Sequence, residues 1–210
     1  MKWWAALIVF CLTPAMAGLL GAPPAAQPTA TQNVRGQIIA ADASSVTVKT
    51  TAAGSPVRLA LAPAVSVTSL TKGSLSEVKE GTYIGMATVQ MGTVTRWPYE
   101  PTLRALELHI FPESMKGEGE GQRKWDLTPD SKMTHGTVFD VQTRGLSIRF
   151  NGLERVVQVS NKIPVVKVGP GDRALLTPGA NIFAVVQKGT DGTLTALRIS
   201  VGMDGLVPPM

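Results

Sequence analysis

From Val34 onward the chain runs in short blocks of Val, Ile, Leu and Thr that alternate with polar residues and are broken by Gly, Pro, Asp and Ser. Side chains on a strand point alternately to opposite faces, so this period-two pattern predicts half-buried strands joined by turns. The blocks place strands at about 34–41, 46–51, 57–61, 65–68, 83–91 and 103–111. One short helix is predicted among them. Ser74-Leu75-Ser76-Glu77 has the spacing of a capping box, and Gly81 is placed to end the helix.

The same order returns about a hundred residues later, as in a chain built from an internal repeat. Gly136 and Val138 stand where the first stretch has Gly36 and Ile38, and Leu146-Ser147-Ile148 matches Val46-Thr47-Val48. Val157-Gln158-Val159 follows Leu59-Ala60-Leu61, and Asp172-Arg173-Ala174-Leu175 falls where Lys72-Gly73-Ser74-Leu75 stood, with Gly179 in the place of Gly81. Leu194 to Ile199 repeats Leu103 to Leu108, and Asn151-Gly152 between two strand blocks predicts a tight hairpin. The expected fold is all-β, with two tandem, small OB-like or Greek-key barrels, each holding one short helix and closing over its own apolar face. Separate halves, one ending near Glu113 and one starting near Thr134, are then expected to fold alone.

Ahead of this pattern, Lys2, the apolar run Trp3 to Leu12, the break at Pro14 and the small residues of Ala15-Met16-Ala17 read as an export signal cleaved after Ala17. The resulting division is 1–17 signal peptide, 18–33 Pro-rich disordered linker, 34–111 first barrel, 112–135 connector, 136–203 second barrel and 204–210 tail. The expected location is periplasmic or secreted, with no transmembrane span once the signal is removed. A span needs about 20 apolar residues, and none follows the signal. The one cysteine, Cys11, lies inside the signal, so the mature chain must be held by its core without disulfides.

Without Lys2, 19 basic residues face 15 acidic ones, a balance of +4 spread along the chain without a run. Nucleic-acid binding calls for a clustered basic stripe, and Lys49, Arg58, Arg149 and Arg155 instead sit singly among apolar residues. Enzyme signatures are also missing: no cysteine nucleophile, no G-x-S-x-G turn, no phosphate loop, and two histidines in all.

The connector HIFPESMKGEGEGQRKWD and the ending DGLVPPM give the chain a distinctive signature. On these segments it resembles a family of exported bacterial proteins that carry one or two OB-like domains of unknown function. The resemblance implies a fold and a compartment, and no activity.

Residues present in one copy of the repeat and absent from the other are the candidates for function. The loop before the last strand is about seven residues longer in the first copy and holds Arg96, Trp97 and Tyr99, while the connector adds Trp125. Aromatic side chains there suit stacking on a sugar or peptide, or covering the barrel ends and wedging the barrels together. His109, predicted to point outward beside Glu107, has Ser200 as its counterpart in the second copy. His135, Met115, Met133 and Glu113 lie in or next to the connector and are candidates to join His109 in a copper or zinc site, since Met and His favour soft copper and carboxylates a harder ion. The reading is an exported, non-enzymatic binding or interaction protein whose partner is an envelope protein or cell-wall ligand. A periplasmic metal-binding protein comes second, and a cell-wall-directed enzyme third.

Overall fold

The computed structural model describes residues 31–51, 54–91, 102–143 and 145–210. The signal segment, residues 18–30 of the linker, and Arg96, Trp97 and Tyr99 lie outside the described residues. Among the described residues no helix is long and apolar enough to cross a membrane.

The alternating blocks form twelve strands: β1 (Thr31–Ala41), β2 (Ser45–Thr50), β3 (Val57–Lys72), β4 (Tyr83–Met91), β5 (Thr102–Ile110), β6 (Gly121–Lys124), β7 (Lys132–Gln142), β8 (Gly145–Phe150), β9 (Leu153–Gln158), β10 (Val165–Pro170), β11 (Asn181–Lys188) and β12 (Leu194–Gly202). Residues 31–33, assigned to the linker on composition, belong to β1, where their backbones pair with Gln187, Val186 and Val185. Two predicted strands at 57–61 and 65–68 are one strand, β3, and Pro63 lies where residues 62–65 have no ladder partner. A proline, which has no N–H to give, is tolerated there. The guanidinium of Arg173 secures this stretch by donating to the carbonyls of Ala43, Ala62 and Pro63.

Neighbouring strands follow the order β12-β11-β1-β2-β3-β10-β5-β4-β7-β8-β9, and two further pairings, β12 with β3 and β5 with β9, close this path into two five-stranded rings. One barrel contains β1, β2, β3, β11 and β12; the other contains β4, β5, β7, β8 and β9. The barrels are therefore not the contiguous segments 34–111 and 136–203. Each takes three strands from one half of the chain and two from the other. The interiors follow suit. Val34, Ile38, Val46, Val48 and Leu59 pack with Ile182, Val186 and Ile199, whereas Ile84, Met86 and Leu108 pack with Val138, Ile148 and Val157.

The two halves correspond pairing by pairing. Gly36 lies opposite Ile182, as Gly136 lies opposite Ile84. Register shifts fall at Ile38/Ala40 and at Val138/Asp140, and again at Ala87/Thr88 and Val185/Val186. Glycine is required at both opening positions, because a Cβ on Gly36 or Gly136 would strike the carbonyl oxygen of Lys49 or Arg149.

Short 3₁₀ helices at Leu75–Glu77 and Arg173–Leu175 lead into β4 and β11. Ser74 forms the predicted capping box with Glu77. Its counterpart is Asp172, which caps the second helix through Ala174 N–H, so the helix starts align two residues away from the match read in the sequence. Each helix seals the barrel that its own half completes: Val78 is buried in the core of the second, Leu176 in that of the first. Gly81 and Gly179 act in the turns beyond, with φ of 83° and 94°, donating to the carbonyls of Val138 and Ile38 in the opposite half. Asn151 and Gly152 both take positive φ, 46° and 72°, and make the predicted tight hairpin between β8 and β9.

β10 joins the barrels. It pairs antiparallel with the far end of β3, Val168 against Leu70, and parallel with β5, Val166 against His109. Leu70, Val166 and Val168 form a third apolar cluster with Phe183 and Met210, placed between the barrels, where the site described next is found.

Candidate functional site

The outer faces of the two barrels meet over a cavity of about 1310 Å³, walled on one side by the connector. β5 aims its chemistry there. Ala87 pairs with Glu107 and Thr88 with Ala105, so Leu106 is a bulge residue and Ala105 is the residue buried in the core. Leu106 is thus taken out of the alternation, while Glu107 and His109 face out of the barrel together with their ring and carboxylate in reach of each other. Outward does not mean exposed. β10 runs beside β5 here, and Glu107 and His109 are 0% and 3% exposed.

A row of backbone partners runs His109, Gly85, His135, Gly121 across β5, β4, β7 and β6. Gly85 has no side chain because a Cβ there would sit 2.9 Å from the rings of both His135 and Phe111. At the matching place in the first barrel, opposite Ser200, stands Phe183, with the Arg35 guanidinium 5.1 Å over its ring. The Trp125 ring packs against the same phenylalanine at 5.6 Å.

His135 is held at both nitrogens. Arg123 donates to Nε2 at 3.1 Å, so Nδ1 carries the proton and donates to the Glu118 carbonyl at 3.2 Å. Burial, followed by the Arg123 charge, pushes its pKa down to about 4, and the ring is neutral at physiological pH. Tyr83 donates to the same Glu118 carbonyl at 2.9 Å, and burial, then the charge of Glu120, pushes its hydroxyl up to about 12. Further along, Arg35 binds Asp126 at 2.6 and 2.9 Å, and Asn33 adds a third hydrogen bond. These bonds hold the carboxyl of Asp126 below its usual range. Arg35 also donates to the Met210 carbonyl. The connector, with β6 laid on β7, is therefore a fixed wall of the cavity.

Four of the five metal candidates, His109, His135, Met115 and Met133, line this cavity. Glu113 does not: it is exposed and paired with Lys116 at 3.1 Å. His135 has no free nitrogen to offer a metal, and among the described residues no group of three or more His, Cys, Asp or Glu is arranged to hold one. Trp125 also lines the cavity, half-buried, as both a wedge and a wall. Arg123, Arg198, Phe111, Phe183 and Gly85 were not singled out by sequence. The available signal was the repeat itself, which sets Gly85 against Phe183 and Glu107 against Arg198 at matching register positions.

Four buried polar atoms have no hydrogen-bond partner among the described residues: Nε2 of His109 and Nε1 of Trp125, whose residues line the cavity, and both carboxylate oxygens of Glu107, which does not line it. Glu107 and His109 approach to 3.6 Å, too long for a hydrogen bond. Buried polar groups are nearly always satisfied, so these four atoms are exceptions to the rule. Comparison with family models, curated proteins and solved structures finds no match to this chain.

Proposed function

We propose that this is an exported, non-enzymatic binding protein of the bacterial envelope, whose two OB-like barrels, copies of one unit with strands exchanged, form the walls of a ligand cleft. The leader-like first 17 residues and the resemblance carried by the connector support the compartment. One observation carries the binding role: a cavity of about 1310 Å³ lined by residues of both barrels and of the connector. That is above the roughly 300–1,000 Å³ of ordinary small-molecule sites, and such sites are mostly apolar with a few placed polar groups.

The connector and cleft side chains act as the recognition surface, because loops and walls set on a rigid scaffold hold their geometry at low entropic cost. The test is native mass spectrometry of the protein isolated from envelope extract. A retained small molecule is expected on the wild type and none on Ser66→Trp, a bulky change at an exposed residue that lines the cavity. Equal retention by the two proteins, or no retained molecule on either, would contradict the proposal.

A further inference from the structure

Two arginines reach the cavity from opposite barrels: Arg198 from β12 of the first, and Arg123 from β6, which lies on β7 of the second. Neither is matched by a carboxylate. Arg123 spends its guanidinium on the Gly119 carbonyl, at 3.2 Å, and on His135. The Arg198 guanidinium has no hydrogen-bond or ion-pair partner among the described residues. Of the other charged groups lining the cavity, Asp126 is taken by Arg35, Glu118 and Lys124 carry opposite charges, and the buried Glu107 beside His109 does not line it. The arginines also feel each other. Burial, and then the Arg198 charge, lowers the proton affinity of Arg123.

Both arginines are exposed and keep contact with water, and a guanidinium fork matches a carboxylate or phosphate, so an anion in the cavity can be met from both barrels. The remaining walls are apolar and adaptable. Leu197 stands exposed beside Arg198, and Phe111, Met115, Met133 and Trp125 continue the surface. Thioether side chains are flexible enough to fit a chain of changing conformation. A cavity of about 1310 Å³ is much more than a carboxylate or phosphate group alone needs.

Building on the binding role proposed above, we infer that the cleft takes an anionic amphiphile, its carboxylate or phosphate head between Arg123 and Arg198 and its hydrocarbon chain along Phe111, Met133 and Trp125. This names the class of ligand and the residues that read its charge. Arg198 is the specificity residue, because its guanidinium is unpaired and can be removed without breaking a contact that holds the fold.

The experiment is isothermal titration of the intact protein with dodecanoate, dodecyl phosphate, dodecanol and inorganic phosphate, each repeated on Arg198→Gln and Ser66→Trp. Both charged amphiphiles should bind, dodecanol about tenfold or more weakly, since a charge-assisted hydrogen bond is roughly twice as strong as a neutral one. Arg198→Gln should remove that advantage and leave dodecanol unchanged, and Ser66→Trp should abolish binding of all. Of the two heads, the tighter binder identifies which one the site was built for. Dodecanol binding as tightly as dodecanoate, with no effect of Arg198→Gln, overturns the charged head. Inorganic phosphate binding as tightly as dodecyl phosphate overturns the chain. If no probe binds while the native molecule is still lost in Ser66→Trp, the ligand class is wrong and the cleft reading survives. If no probe binds and no native molecule is found, both fail.

Discussion

Acidification should weaken this protein through His135, and the size of the effect follows from the cleft. The imidazole has a folded pKa of about 4 against 6.5 for the free side chain, lowered first by burial and then by Arg123. A histidine depressed in this way contributes its full stability above the unfolded value, and that stability is lost as pH falls from 6.5 toward 4, because the unfolded chain binds the proton first. Between about pH 7 and pH 5 the linkage amounts to about 2 kcal/mol, or about 4–8 °C in melting temperature for a chain of this length. The carboxylates held low by hydrogen bonds, Asp42, Glu77, Asp126 and Asp191, act only below their ordinary values of 3.8 to 4.5, outside this window. His135→Asn keeps a donor for the Glu118 carbonyl and an acceptor for Arg123 and removes the titration. Thermal unfolding across this pH range should show a slope in the wild type that is flattened in His135→Asn. Equal slopes in the two proteins, or a wild type that gains stability on acidification, would refute the reasoning.

Other perturbations have equally definite outcomes. Gly202→Ala would place a Cβ 1.8 Å from the Leu206 carbonyl, at the point where the tail turns back after β12, so chemical denaturation should show a loss of at least about 2 kcal/mol. Trp125→Ala, removing a half-buried ring from Phe183, should cost about 1–3 kcal/mol, less than the roughly 3–5 of a fully buried aromatic, and should also reduce retention of the cleft ligand. Fragments 31–116 and 117–210 should not each give a monomer with a cooperative melt, yet should do so when mixed. The first lacks Leu176, Ile182, Val186, Ile199 and Val201 of its core, and each buried aliphatic side chain is worth about 1.5–3 kcal/mol, a total comparable to the stability of a whole domain.

Much of the local structure was legible in the residues. β4 begins and ends where the alternation does, the Ser74 capping box forms, and Asn151-Gly152 takes the two positive φ values that its hairpin needs. Strand partnership was not legible, for a physical reason. Alternation says which face of a strand is buried, and Ile84 or Ile182 satisfies a partner at Gly36 equally well. The choice between them rests on contacts some hundred residues apart, such as Leu70 with Val168. For the same reason the alternation put His109 and Glu107 on the outer face, with nothing to say that this face is buried. The aromatic pair Trp125 and Phe183 was half visible, since Trp125 lies in the distinctive connector whereas Phe183 reads as an ordinary strand residue. Arg123 and Arg198 look like surface charges in the sequence. Only the packing of the barrels brings them to one cavity.

The exchange of strands between the halves is the claim on which the cleft depends, and nuclear Overhauser contacts across β1 decide it. The account predicts backbone contacts between Gly36 and Ile182 and between Val34 and Ala184, mirrored by contacts between Gly136 and Ile84. Contacts between Gly36 and Ile84, or between Gly136 and Ile182, would mean that each half closes its own barrel, and would contradict it.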